Sequence, residues 1–103
     1  MARHKFHAKQ TEADGIKFAS KLESRYYKKL KMLQQAGEIV FFLRQVPLHL
    51  EGGVKLVVDF VIFWKNGDVT FEDTKGLMTS QAKQKIKQAE SRYPIKIKIV
   101  TRV

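Results

Sequence analysis

The sequence predicts a single-domain α/β (α+β) fold with the element order αβββαβ, in which helices flank a mixed four-stranded sheet. Three observations predict it: two helical patterns enclose three strand-like runs, an Asn-Gly pair marks a tight hairpin, and a strictly alternating run follows the second helical pattern. A chain of 103 residues suits one domain with one modest core. Residues 1–19 are polar and basic and are interpreted as an arm outside the core, so residues 20–103 form the predicted domain.

The first helix is predicted over about residues 20–36. Its apolar stripe at helical spacing consists of Leu22, Tyr26, Leu30 and Leu33. Ser20 and Glu23 have the spacing of a capping box, which predicts the start of the helix. Gly37 can take the left-handed conformation that commonly ends a helix.

Three strands are predicted next, over residues 39–50, 54–64 and 69–75. Pro47 lacks an amide hydrogen, which argues for an edge strand or a bulge at that point. The Asn66-Gly67 pair is a strong signal for a tight hairpin between the second and third strands. We therefore expect the three strands to form an antiparallel meander.

A second helix is predicted over about residues 80–92, and Pro94 ends it. Its narrow apolar stripe consists of Ala82, Ile86, Ala89 and Tyr93. Residues 95–99 then alternate between isoleucine and lysine, which predicts a strand with one buried face. Since this strand returns through a helical crossover, we expect it to run parallel to the third strand.

The composition excludes several classes of site. With no cysteine, the chain has no disulfide framework, no thiolate zinc site and no cysteine nucleophile. No apolar run approaches the roughly 18 residues that cross a bilayer, and the start of the chain does not have the pattern of a secretory signal. We therefore expect a soluble, cytoplasmic protein without a membrane partner.

The charge balance is the strongest signal in the composition. Twenty Lys and Arg face ten Asp and Glu, which gives a net charge of +10. Such a bias favours a polyanionic partner, above all nucleic acid, although solubility alone is the simpler alternative.

Asp59 interrupts a strand whose two faces are otherwise apolar. A lone carboxylate in such a strand costs several kcal/mol unless a cation compensates it. The cation can be a nearby Lys or Arg, which is the ordinary structural explanation, or a metal ion. Counted outward from the Asn66-Gly67 turn, Asp59 and Asp73 are expected to be close cross-strand neighbours.

Two opposed carboxylates repel each other, and a divalent cation between them would resolve that repulsion. Ligands that are oxygen only suit Mg²⁺ or Mn²⁺. Lys75 is predicted on the same face as Asp73, where its ammonium could orient an attacking water, or could simply pair with Asp73. Glu72 is predicted on the other face and is left out of the candidate site.

Asp59, Asp73-Thr74-Lys75 and a preceding helical Glu23 resemble the PD-(D/E)XK nuclease superfamily. In particular the chain is similar to a family of small phage-encoded proteins of that superfamily, which resemble phage Holliday junction resolvases of the endonuclease I type. The likeness covers about residues 5–100 and includes the segments 15–23, Gln45-Val46-Pro47 and 72–76. Val58 stands where the superfamily nominally has proline. The resemblance implies a restriction-endonuclease-like core.

The resemblance also implies roles for single residues. It implies a metal shell made of Glu23, Asp59, Asp73 and the Thr74 carbonyl, with Mg²⁺ or Mn²⁺ as cofactor. Glu23 would complete the shell or bind a second ion, and helix capping is its alternative role. Lys75 would position the nucleophilic water, and Gln45 is a weaker candidate for orienting substrate or ligand.

The basic residues are expected to contact DNA phosphates around this site. They are Lys21, Arg25, Lys28 and Lys29 on the first helix, Lys83, Lys85 and Lys87 on the second, and Arg3, Lys5 and Lys9 in the arm. The predicted function is a Mg²⁺-dependent endonuclease acting on branched DNA such as a Holliday junction. The alternatives are a nuclease on linear or single-stranded DNA in phage replication or packaging, and a non-catalytic nucleic-acid-binding protein. Because resolving a junction needs two cuts, a homodimer is expected, with residues 39–43 as possible interface material.

Overall fold

A computed structural model describes residues 11–103, which form a four-stranded mixed sheet between two helices, with a small two-stranded sheet beside it. The strands are β1 (Thr11–Ala13), β2 (Ile16–Phe18), β3 (Ile39–His49), β4 (Lys55–Trp64), β5 (Val69–Thr74) and β6 (Ile97–Val100). The helices are α1 (Lys21–Gln35) and α2 (Ser80–Arg92), and a single 3₁₀ turn covers Glu51–Gly53. The predicted fold class and the predicted order of the main elements are confirmed.

The large sheet has the strand order β3-β4-β5-β6. Strands β3, β4 and β5 pair antiparallel, and β6 pairs parallel to β5 after the α2 crossover, as predicted. Strand β3 is an edge strand, which is where Pro47 can be accommodated, because no ladder bond is required from one of its two sides.

The buried apolar residues of the described chain form one cluster under each helix. The α1 cluster contains Phe18, Tyr26, Tyr27, Leu30, Ile39, Phe60, Ile62 and Val100. The α2 cluster contains Leu50, Leu56, Val58, Val61, Ile86, Ala89 and Ile97. Burying a large apolar side chain contributes roughly 1.5–3 kcal/mol, so these clusters hold both helices against the sheet.

The alternation of side chains along strand β4 shifts by one residue at Asp59. Val58 belongs to the α2 cluster and Phe60 to the α1 cluster, although alternation in a regular strand would place both on one face. The β3–β4 ladder passes from the pair Arg44–Phe60 to the pair Val46–Val58 without a pair at the position between them. Asp59 therefore lies at an irregularity of the sheet.

Residues 11–18 correct the expectation that the first 19 residues lie outside the core. Asp14 and Gly15 have φ of +51° and +75°, as a tight hairpin turn between β1 and β2 requires. Phe18 is buried in the α1 cluster, and the Tyr27 hydroxyl donates a hydrogen bond to Asp14 Oδ2 at 2.9 Å. The two strands are only three residues long, too short for a clear alternation signal. Arg3, Lys5 and Lys9 lie outside the described residues.

Between residues 11 and 103, no helix has the length and apolar character needed to cross a membrane.

Candidate functional site

Asp59 and Asp73 lie opposite each other at the end of the β4–β5 pairing. The last pair of this ladder is Phe60–Glu72, and the next position along each strand is an aspartate, so the register brings the two together. The Asp59 amide donates to Asp73 Oδ1 at 2.8 Å. The Thr74 amide and hydroxyl both donate to Asp59 Oδ2, at 2.9 and 2.7 Å. Each carboxylate is thus fixed by the strand that bears the other.

Asp73 is 1% exposed, and its surroundings only partly compensate its charge. Burial, and then the negative charge of Asp59, raise the pKa of Asp73, while the Asp59 amide and the Lys75 ammonium lower it. Lys75 Nζ lies 3.2 Å from Asp73 Oδ2, the ion pair that is the simpler alternative for Lys75. Within the described residues this contact lacks hydrogen-bond geometry, and Oδ2 has no other partner. Among the described residues, the buried Asp73 Oδ2 is therefore compensated by the charge of Lys75 and not by a hydrogen bond.

Glu23 lies in the first turn of α1 and is 4% exposed. Ser20 caps the helix by accepting a hydrogen bond from the Glu23 amide at 3.1 Å. The Glu23 side chain points instead to strand β3, where its Oε2 accepts from Arg44 Nη2 at 3.2 Å and from Gln45 Nε2 at 2.9 Å. Burial, and then the charge of Asp59, raise the pKa of Glu23, and Arg44 lowers it.

Gln45 connects Glu23 to Asp59. Its Nε2 donates to Glu23 Oε2 at 2.9 Å and to Asp59 Oδ1 at 3.2 Å. Gln45 has φ of +54°, a left-handed conformation that is uncommon for a residue other than glycine. Such strain costs on the order of 1–3 kcal/mol and persists where the surrounding structure requires it. Gln45 also lies opposite Asp59, at a position where the β3–β4 ladder has no pair although the register continues on either side.

Arg44 is a site residue that the sequence reasoning missed. It pairs with Glu23, and its guanidinium carbon lies 4.5 Å from the centre of the Phe18 ring. Arg44 and Gln45 line a pocket of about 340 Å³. The other lining residues are Lys17, Phe18, Ala19 and Glu23. The interpretation of residues 1–19 as an arm hid this pocket, whereas the Asp14-Gly15 pair, a signal for a tight turn, could have indicated the hairpin.

A comparison with protein-family models matches residues 3–103 to a family described as "Protein of unknown function (DUF1064)". The chain belongs to the DUF1064 family. Searches of curated proteins and of solved structures gave no significant match.

The oxygen atoms of this DUF1064 site are of the kind that a hard divalent cation prefers. In this structure, however, they are not grouped as metal ligands. In the part of the chain from residue 11 onward, no three Asp, Glu, His or Cys side chains are grouped as metal ligands. Asp59 and Glu23 instead share the amide of Gln45. However, burial and then the charge on Asp59 raise the pKa of both Glu23 and Asp73, and Asp73 Oδ2 has no hydrogen bond from any of residues 11–103. A cation among these carboxylate oxygens would lower both raised pKa values and would give Asp73 Oδ2 a partner. Mg²⁺ and Mn²⁺ prefer such oxygen ligands.

The predicted DNA-contacting lysines and arginine of both helices are exposed. On α1 they are Lys21, Arg25, Lys28 and Lys29, and on α2 they are Lys83, Lys85 and Lys87. Helix α1 also carries Glu23 in its first turn, so its basic residues begin beside the carboxylates. Helix α2 covers the other face of the sheet and begins shortly after Lys75.

Proposed function

We propose that this DUF1064 protein is a Mg²⁺-dependent deoxyribonuclease, an endonuclease that hydrolyses phosphodiester bonds in DNA. The observation that supports it best is the opposed pair Asp59 and Asp73 with the Lys75 ammonium 3.2 Å from the buried Asp73. Metal-dependent hydrolysis of a phosphodiester uses ligands for a cation and is helped by a positive group near the attacked phosphorus. This cluster contains both.

The residues have separate tasks in the proposed reaction. Mg²⁺ or Mn²⁺ would be held by the carboxylates of Glu23, Asp59 and Asp73 and by the Thr74 carbonyl. When bound, the cation would supply positive charge at the phosphate and lower the pKa of a bound water. The Thr74 amide and hydroxyl orient Asp59 by donating to its Oδ2. The Lys75 side chain is 27% exposed, so its Nζ can donate hydrogen bonds to an attacking water or a phosphate oxygen at the surface.

The proposed substrate follows from the charge distribution. A net charge of +10 and exposed basic side chains on both helices favour binding through phosphate contacts. Such contacts position DNA without reading its sequence. Together with the resemblance to junction resolvases, this supports a structure-selective substrate, branched DNA such as a Holliday junction. The proposal places this action in the cytoplasm, that of the host cell if the protein is phage-encoded.

The proposal includes a two-fold homodimer, because resolving a junction needs two cuts on opposing strands. The edge strand β3 supports it, since Val40, Phe41 and Leu43 are 61%, 42% and 45% exposed. An edge strand with apolar side chains is a ready surface for pairing with a second copy. Sedimentation equilibrium at micromolar concentration is expected to give the dimer mass. A monomer mass, both alone and with junction DNA, would contradict the dimer and favour a nicking enzyme.

The proposed activity is tested by comparing two DNA substrates. Wild-type protein and Asp59→Asn are incubated with a four-way junction and with a linear duplex of matched sequence, in Mg²⁺ and in EDTA. We expect wild-type protein to cut the junction in Mg²⁺ only, and Asp59→Asn to cut neither DNA.

Each other result has a definite meaning. Equal cutting of the linear duplex would replace junction selectivity with the alternative of a nuclease on linear DNA. Binding of both DNAs without any cleavage by the wild-type protein, in Mg²⁺ and in Mn²⁺, would contradict the enzyme and favour a non-catalytic nucleic-acid-binding protein.

A further inference from the structure

The side-chain amide of Gln45 lies between two carboxylates. Nε2 is 2.9 Å from Glu23 Oε2 and 3.2 Å from Asp59 Oδ1. An NH₂ group that directs its two hydrogens at two carboxylates reduces their repulsion, as a cation would. Gln45 Nε2 therefore occupies the position from which a cation could contact both Glu23 and Asp59.

The main chain of Gln45 is arranged to hold the side chain there. Gln45 combines a φ of +54° with the position opposite Asp59 that the β3–β4 ladder leaves without a pair. Glycine would take this conformation without steric cost, so the backbone alone does not require a glutamine. Strain of this kind at a cluster of charged groups points to a task for the side chain.

The amide also offers the opposite chemistry. Its carbonyl oxygen is an acceptor, and rotation about the last side-chain bond exchanges the oxygen with the nitrogen. Amide carbonyl oxygens are ligands for hard divalent cations. We propose that Gln45 is itself a cation ligand: its Nε2 joins Glu23 and Asp59 in the metal-free protein, and its Oε1 turns inward when Mg²⁺ or Mn²⁺ binds. This inference rests on the proposed function, from which it takes the cation.

Exposure decides which member of the cluster can rearrange. Glu23 and Asp73 are 4% and 1% exposed, and Asp59 is fixed through Thr74. Gln45 is exposed and lines the pocket beside Glu23, so its amide can turn without disturbing the core. The competing account is that Gln45 is only a donor that a cation must displace. The two accounts predict opposite effects on metal affinity.

The test measures Mn²⁺ binding to the full chain without DNA, from the electron paramagnetic resonance signal of free Mn²⁺. The proteins are wild type, Gln45→Gly, Gln45→Glu and, as a matched control on the exposed face of α2, Gln84→Leu. Glycine removes the amide and relieves the positive φ, so it does not strain the fold. A ligand role predicts at least about tenfold weaker binding in Gln45→Gly, the lower end of losses seen when a metal site loses a supporting group. Gln45→Glu is expected to bind at least as tightly as wild type, and Gln84→Leu to be unchanged.

The outcomes separate this inference from the proposed function. Unchanged or tighter Mn²⁺ binding by Gln45→Gly would overturn the ligand role and leave the proposed nuclease intact. Failure of the wild-type protein to bind Mn²⁺ or Mg²⁺ would overturn both. Thermal unfolding in EDTA checks that Gln45→Gly is folded. If Gln45→Gly is not folded, Gln45→Glu is used instead. Weaker Mn²⁺ binding by Gln45→Glu than by wild type would then refute the inference.

Discussion

Glu72 and Asp73 are neighbours in strand β5, both are 1% exposed, and their side chains lie on opposite faces. On the α1 face, both oxygens of Glu72 accept hydrogen bonds from hydroxyl groups, Oε1 from Tyr26 and Oε2 from Thr70 at 2.8 Å. The Thr70 hydroxyl in turn accepts from Trp64 Nε1 at 2.8 Å. Glu72 is thus a carboxylate with a hydrogen bond to each oxygen, and it joins α1 to the sheet.

On the other face, the described part of the chain gives Asp73 one hydrogen bond, from the Asp59 amide, and a charge contact with Lys75. A second carboxylate, Asp59, is its neighbour, whereas Glu72 has hydroxyl neighbours. Burial alone therefore does not distinguish a structural carboxylate from a candidate catalytic one. The distinction comes from hydrogen bonding left incomplete and from like charge placed close by.

Cleavage gives the largest expected difference between the two carboxylates. Asp73→Asn and Lys75→Ala are expected to lower the rate of DNA cleavage at least about 10²-fold, since each removes a group that acts on the reacting atoms in the proposed reaction. Glu72→Gln, the matched change on the opposite face, is expected to keep the rate within about tenfold of wild type. Single-turnover cleavage of junction DNA measures both. Equal losses in Asp73→Asn and Glu72→Gln would remove the functional distinction between the two acids.

For stability, in contrast to cleavage, we expect the larger effect from a change beside Glu72. Tyr26→Phe removes a hydroxyl donor from the buried Glu72 and should lower the free energy of unfolding by about 1.5–3 kcal/mol. Tyr27→Phe is the matched control, because its hydroxyl bonds the exposed Asp14 and should cost no more than about 1 kcal/mol. Urea unfolding in EDTA measures both changes. A smaller cost for Tyr26→Phe than for Tyr27→Phe would show that Glu72 gains nothing from this hydroxyl.

The pH dependence of stability is the smallest expected effect. The folded protein raises the pKa of Asp73 and Glu23 above their ordinary values of 3.8 and 4.5. A raised carboxyl pKa stabilises the protonated folded state, so this stability is complete below the ordinary values and is lost as pH rises through the folded ones. Urea unfolding in EDTA should therefore show stability falling less steeply above pH 4 in Asp73→Asn than in wild type, where pH 4 is roughly the ordinary pKa of a carboxyl group. Parallel curves would contradict the raised pKa of Asp73.

Much of the fold could be predicted because its signals are local. Counting outward from the Asn66-Gly67 turn placed Asp59 and Asp73 within one residue of facing each other, and the alternation of residues 95–99 after a helix indicated the parallel return. Pro47 correctly indicated an edge strand or bulge. These inferences use spacing within one or two elements.

The remaining features depend on contacts between distant parts of the chain. Tyr26 and Glu72 are separated by 46 residues, and Glu23 and Arg44 by 21. No periodicity predicts such pairs. The change of face at Asp59 was also hidden, because the strand is apolar on both sides and so looks regular in either arrangement.

The turn between β4 and β5 has a consequence for how the site tolerates insertions and deletions. The Trp64 amide donates to the Asp68 carbonyl at 2.8 Å, and Gly67 has φ of +97°, so the turn is short and its register is fixed. A slip of one residue would exchange Glu72 for Asp73 at the position facing Asp59. Trp64 is five residues from Asp59, roughly 17 Å along a strand. A length change in this surface loop could thus silence the site from a distance while leaving every residue of the site in the sequence.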